Sequence, residues 1–540
     1  MLQKHFDFII VGAGSAGCAL ANRLTRDPAV RVLLLEAGGW DHDLMIDLPI
    51  GIKPMTDKKL YRWNDVSEPD PGLNGRVNEI PHGKVIGGGS SINYMAHTRG
   101  HPVDYERWVS AGAYGWSYND LLPYFKECEA WEGGEDAWRG GSGEIGAQSG
   151  RIDDPICAAW FAALRSLGYP ITEDHNGEQP EGFAIVQYSI KNGRRSSSAK
   201  AFLRPALSRN NLTVQTDSTV TRIRLDGKRA TGVDYSLRGE LWTASAGRVV
   251  LCLGAINTPH LLMLSGVGPA DHLSSMGIKP LVNLPVGKGL EDHLGVPMAW
   301  TRREPGSFHR SLRGDRAALN LARSILFRTG PSSRIPGAVL GFFKSQPDLK
   351  QPDLQAYLHL PPPTADVWFP GLKPSYQDML AARVNLLGQK SRGEVLLRSK
   401  DPNDRPRVIY NSLNEPDDLQ ALRAGFRKTW DMLSATELAG FRGEPLLPQR
   451  ELQADGEIDA FIRANAMQLY HPGCTCKMGA GDAAVLNPDL GVQGVEGLSV
   501  VDASVMPNLV SGNPNIPIIT MATKAAAMWM GDLPRGVRGG

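Results

Sequence analysis

The feature that most narrows the folds open to this chain is Gly12-Ala13-Gly14-Ser15-Ala16-Gly17, which directly follows the apolar run Phe6-Asp7-Phe8-Ile9-Ile10-Val11. Such a run reads as a short buried parallel strand, and the glycines then open a helix over residues 18–24. A second apolar run over residues 30–35 ends at Glu36. Strand, glycine turn, helix and strand make a complete βαβ unit of the kind that binds a dinucleotide. Gly12 makes the tight turn, Gly14 lets backbone approach a pyrophosphate, and Gly17 lets the helix pack closely on the strand. Ser15 and Ala16 lie at the helix start, where amide N–H groups face phosphate oxygens. Glu36 stands at the strand end, where a carboxylate accepts from a ribose hydroxyl. No second fingerprint follows: Gly266-Val267-Gly268 runs into proline and Gly287-Lys288-Gly289 into Leu290. One dinucleotide is the economical count.

At 540 residues the chain exceeds what one core holds, so two domains are expected. Lys and Arg number 58 against 57 Asp and Glu. A net charge of +1 offers no field to steer nucleic acid or an anionic membrane, and a small neutral substrate fits better. No transmembrane-length apolar run is present, and strand-like sequence begins at Phe6 without a signal-peptide pattern, which points to the cytoplasm. Six cysteines are too sparse for a disulfide framework and read as free thiols.

A second glycine-dense stretch, residues 83–93, is too apolar at Val85, Ile86 and Ile92 for a flexible linker and reads as an ordered loop against which a flat ring or backbone packs. Strands are expected near 212–225 and 248–253. A helix opens near Thr258-Pro259, with threonine as its cap. The proline-rich middle and a helix over 417–433 suggest a separate domain over the cofactor. A strand at 498–501 ends at Asp502, and a late helix covers 520–530.

Residues 470–479 (Tyr-His-Pro-Gly-Cys-Thr-Cys-Lys-Met-Gly) hold the densest reactive chemistry. His471 can take an alcohol proton while the adjoining C–H bond gives up its hydride. Pro472 and Gly473 set a sharp turn, which presents a side chain at a site. His471, Cys474 and Cys476 also spell H-x-x-C-x-C, but no second Cys/His cluster completes a zinc site, so no metal is expected. No G-x-S-x-G nucleophile elbow occurs. Ser511-Gly512-Asn513-Pro514-Asn515-Ile516-Pro517 is the other loop of interest; its asparagines are ordinary turn residues unless one meets His471.

Together these windows resemble the glucose-methanol-choline oxidoreductases over nearly the whole chain and in the same order. Residues 83–100 look like that family's first signature and residues 254–268 like its second. The His-Pro segment and the closing Asn-rich loop complete the likeness. The resemblance implies an α/β fold: a Rossmann-like FAD domain assembled from 1–150, 206–304 and 465–540, and a substrate domain from 151–205 and 305–464 with an antiparallel sheet flanked by helices. It implies non-covalent FAD contacted at Gly12, Gly14, Ser15, Ala16, Gly17, Glu36, Trp63, Gly88, Gly89, Asn93, Ala96, Val220, Tyr470, Asp502 and Ala503. His471 becomes the base, and Asn515 the residue that holds the substrate oxygen. Hydride passes to flavin N5, and electrons go on to oxygen or another acceptor; a quinone acceptor would place the protein at the membrane periphery. The alternative on the same scaffold is a lyase that uses His471 as acid/base without net redox. Three positions depart from the pattern. His97 replaces an aromatic or alanine, Cys474 replaces a glycine, and Ile92 stands where some relatives bond flavin through histidine.

Overall fold

The computed structural model describes residues 5–531 and contains two large sheets. In the first, β1 (His5–Val11), α1 (Ser15–Leu24) and β2 (Val32–Leu35) form the expected βαβ unit, with Val11 opposite Leu35. The strands Leu212–Gln215 and Glu240–Leu251 extend it in parallel on either side, and Leu498–Val500 pairs in parallel with the end of the latter. Arg229–Leu237 and Ser218–Asp226 continue the sheet antiparallel. Val11, Leu35 and Leu251 are aligned in register, so the turns after them open on one crevice, where doubly wound sheets bind ligands. Gly17 explains why α1 can lie so close: a Cβ there would sit 1.9 Å from the Gly12 carbonyl oxygen.

The second sheet is antiparallel and runs Arg442–Leu447, Leu294–Arg302, Met379–Leu386, Leu354–Leu360, Val339–Phe343, Gly182–Ile185. Its strands alternate with period two. Val296, Met298, Ala382 and Val384 pack into a core with Trp160, Phe426, Trp430 and Ile458 from the helices Ile156–Ser166, Pro416–Ser434 and Asp455–Asn465. On the other face stand Gln355, Tyr357, Arg383 and Asn385. The strand Leu294–Arg302 lies inside this sheet, and Met467–Gln468 pairs with it. The expected divisions at 304 and 465 therefore cut through the second sheet. The physical reason is that an apolar run such as 294–300 carries no mark of which sheet it joins.

The helix at the second signature begins at Gly254 and carries Pro259 in its interior, so Thr258 is not its cap; the Thr258 hydroxyl donates to Asp502 instead. The late helix also starts earlier than expected, at Asn515. All six cysteines are unpaired and buried. Among the described residues no helix is long and apolar enough to cross a membrane.

Candidate active site

His471 sits in a loop strapped by three residues at the start of the second sheet. Glu291 and Gly473 exchange backbone hydrogen bonds, at 3.2 and 2.9 Å. The His471 N–H donates to Asp292 Oδ1 at 2.8 Å, and the His293 Nδ1 lies 3.0 Å from His471 Nδ1. Burial pushes the Asp292 carboxyl up to about 7 against the N–H groups that bond it. Burial first, then His293 and Arg383, hold the His471 imidazole well below its ordinary 6.5, so it is neutral at physiological pH.

The amide that meets His471 is Asn513, not Asn515. Asn513 Nδ2 is 2.9 Å from His471 Nε2, and the Tyr357 hydroxyl donates to Asn513 Oδ1 at 3.0 Å. The network assigns the protons. Tyr357 identifies the Asn513 oxygen, so the amide NH2 donates to His471 Nε2. His471 then carries its hydrogen on Nδ1 and gives it to His293. The lone pair of the imidazole faces the Asn513 amide.

Asn515 stands two residues further on, at the first position of the helix Asn515–Met530, and its Oδ1 accepts from Ser15 Oγ at 2.7 Å. The expectation for Asn515 thus fails on backbone geometry. Asn513 precedes a proline, which keeps it out of the helix and leaves its side chain free to reach across. Thr98 holds its backbone N–H at 2.8 Å, and Asp104 holds Ser511 at 2.6 and 2.9 Å.

The glycine turn, the Gly88 loop, the start of α1 and Glu36 lie together. Gly88 backs onto Gly14 so tightly that a Cβ on it would lie 2.7 Å from Gly14 Cα, whereas Gly89 faces open space. The start of α1 carries no side-chain cap bond, which leaves its amides for phosphate. Glu36 is buried at the end of β2, with its carboxyl pushed up to about 7 by burial and accepting from the Ala13 and Gly38 N–H groups. These residues fit a dinucleotide: a glycine-lined crevice, a helix start and an acid at the strand end.

Other expected contacts are engaged differently. Both Asp502 oxygens accept from within the protein, from Gly254, Thr258 and Ser504. Asp502 therefore organises the start of the Gly254–Leu264 helix. The Ala503 carbonyl accepts from the Cys474 N–H. Trp63 lies beneath Lys84 Nζ at 4.4 Å and Arg405 at 4.2 Å. Asn93 Oδ1 accepts from Met95 and Arg195, and Ala96 bridges Tyr188. Val220 lies at an irregularity in its strand pairing. Tyr470 is 43% exposed at the rim.

The three departures resolve separately. His97 is fully buried between Glu129 and Ser189. Cys474 adopts φ 70°, the conformation a glycine would have supplied. Ile92 packs beside Ile46, Met55 and Val85. Asp292, His293, Tyr357, Arg383 and Asn513 were not singled out by the sequence. Tyr357 and Arg383 lie in ordinary strands and Asp292 and His293 in the irregular segment just before one, and only contact with His471 or its neighbours marks them.

Two family models described as GMC oxidoreductase match residues 6–295 and 389–522. The mitochondrial choline dehydrogenase of Homo sapiens is 41% identical over 98% of this chain and 92% of its own. An oxygen-dependent choline dehydrogenase of Rhizobium etli is 39% identical over 98% and 96%. Among solved structures, pyridoxine 4-oxidase from Mesorbium loti superposes with a TM-score of 0.87 at 30% identity, covering 97% of this chain and 99% of that one. A formate oxidase of Aspergillus oryzae gives 0.88 at 26%, covering 98% and 99%. A two-sheet molecule with a dinucleotide crevice beneath a histidine and an amide is a flavoprotein oxidoreductase acting on CH–OH donors, with FAD as its cofactor. The chain belongs to the GMC oxidoreductase family.

Proposed function

We propose that the protein oxidises an alcohol to an aldehyde or ketone, with His471 as the base and Asn513 as the group that holds the alcohol oxygen. Bound FAD supplies the two-electron acceptor for the hydride leaving the carbinol carbon. Gly12, Gly14, Gly17, Gly88 and Gly89 would form its cradle, with Glu36 at the ribose end. Ile92 in place of a histidine supports non-covalent attachment.

The chain's own residues do the proton work. The alcohol oxygen replaces the direct contact between Asn513 and His471, accepting from the amide and donating to Nε2. Removal of that proton raises electron density on the carbinol oxygen, and hydride departure becomes favourable. His293 accepts from Nδ1 and so fixes the tautomer that leaves Nε2 free. Asp292 anchors the backbone of the same residue, and Tyr357 keeps the Asn513 amide from flipping.

The single observation that supports this most is the 2.9 Å contact between His471 Nε2 and the Asn513 amide. The test is anaerobic bleaching of the flavin by primary and benzylic alcohols, followed by stopped flow. His471→Ala should retain FAD and lose the reduction rate by about 10²–10⁴-fold, the range for a lost general base. Asn513→Ala should slow reduction more than Asn515→Ala does. Unchanged bleaching in His471→Ala removes the histidine from the mechanism. Turnover that leaves the flavin oxidised throughout would instead favour a lyase.

A further inference from the structure

We propose that Arg383 recognises an anionic group on the substrate, so that the alcohol oxidised here carries a carboxylate or similar acid. This rests on the reading of His471 and Asn513 as the oxidising site and adds the substrate's charge.

On the strand Met379–Leu386, Ala382 and Val384 enter the helix-covered core, and Arg383 and Asn385 stand on the opposite face. Arg383 is paired across the sheet with Tyr357 on one side and Pro297 on the other. Tyr357 is the residue that holds the Asn513 amide. The guanidinium is thus one cross-strand neighbour from the catalytic network, at a separation of roughly 5 Å between Cβ positions. Its charge is also among those that keep His471 neutral.

The side chain is anchored only through neutral groups. Nε donates to Asn385 Oδ1 at 2.9 Å, and Asn385 is itself fixed by donating to Gln355 Oε1 at 2.8 Å. The guanidinium carbon lies 5.6 Å from the centre of the Tyr357 ring. Gly295 makes the room: a Cβ there would come within 2.9 Å of Arg383 Cδ. Among the described residues no carboxylate forms an ion pair with Arg383, and neither Nη atom has a hydrogen-bond partner. Arg383 is partly buried, so its charge is incompletely solvated, and a planar fork held at Nε presents two parallel N–H groups that match a carboxylate. The other groups whose charge reaches Arg383 are the hydroxyls of Tyr357, Tyr94 and Tyr470. Among the described residues no carboxylate is among the groups whose charge shifts Arg383. A quaternary ammonium such as choline, named for the relatives, would meet a like charge.

The experiment compares 4-(hydroxymethyl)benzoate, its neutral amide and choline as reductants of the holoenzyme, for the native protein, Arg383→Gln and Arg383→Lys. Binding of 4-methylbenzoate, read from the flavin absorption spectrum, runs beside it. The native enzyme should favour the carboxylate alcohol over the amide by about tenfold or more in kcat/KM. Arg383→Gln should lower kcat/KM for the carboxylate and its binding by about 10- to 100-fold more than it lowers kcat/KM for the amide. Arg383→Lys should retain part of the preference. Preference for choline, or equal losses on acid and amide, would overturn the assignment. If no alcohol bleaches the flavin yet Arg383→Gln still weakens 4-methylbenzoate binding tenfold, the oxidation reading fails and the anion site stands.

Discussion

His471 is bracketed by two residues in left-handed backbone, Tyr470 at φ 64° and Cys474 at φ 70°. Each costs about 1–2 kcal/mol for a residue with a Cβ, and such strain persists where the surroundings over-determine it. Here Asp292, His293 and Ala503 hold the loop on three sides. Cys474→Val, β-branched at positive φ, should therefore lower the unfolding free energy by more than about 1 kcal/mol in urea titrations, whereas Cys474→Gly should fold and bleach its flavin normally. The lowered His471 pKa has a kinetic sign as well. A base that stays neutral to lower pH keeps kcat/KM level until the medium falls below 6.5, so the acidic limb of the pH–rate profile should lie under that value. A limb at 7 or above would mean the imidazole is less buried than its contacts require. At this scale His471 was legible because Pro472 and Gly473 announce a turn around a reactive side chain. Asn513 rather than Asn515 meets His471, and since the two flank one proline their spacing alone does not separate them. The rule that a residue before proline stays outside a helix does separate them, since the helix begins at Asn515.

Among elements, the starts of two helices meet at one hydrogen bond, from Ser15 on α1 to Asn515 on Asn515–Met530. Residues 500 apart in sequence are thereby joined at the dinucleotide turn. Ser15→Ala should cost about 1 kcal/mol of stability and release FAD at lower urea than the native protein, measured by flavin fluorescence. The βαβ unit was readable at nearly full length because its glycines, apolar strands and closing acid are dictated locally. The second sheet was readable only as a class. Its strands are short, its pairings link residues far apart, and the face that bears Tyr357 and Arg383 looks in sequence like any half-buried strand. The Gly254–Leu264 helix shows the same limit, since Thr258 reads as a cap until Asp502, contributed from far along the chain, is seen to claim its hydroxyl.

At the level of the whole molecule, a buried ionic cluster joins the first-signature segment to the chain beyond it. Glu129 accepts from His97 at 2.9 Å, Arg99 at 2.7 Å and Arg139 at 2.9 Å, and Arg139 also reaches Asp174 at 2.6 Å. Burial alone would raise the Glu129 pKa; the cations overcome it and hold the carboxyl well below its ordinary 4.5. A depressed carboxyl contributes stability that is present above the unfolded value and is lost as pH falls. Asp292 and Glu36 act oppositely: raised to about 7, they contribute stability at low pH that is lost as pH rises through 7. Glu129→Gln should cost about 3–5 kcal/mol near neutrality, because it leaves arginines buried without their partner, and should flatten the fall of thermal stability below pH 5. Asp292→Asn should flatten the decline between pH 5 and 7 instead. The short bridge Asn513-Pro514-Asn515 carries one further implication. Its first amide touches His471 and its last touches Ser15 at the glycine turn, with a rigid ring between them. The strap thus ties the place of the amide that meets His471 to the place of the glycine turn.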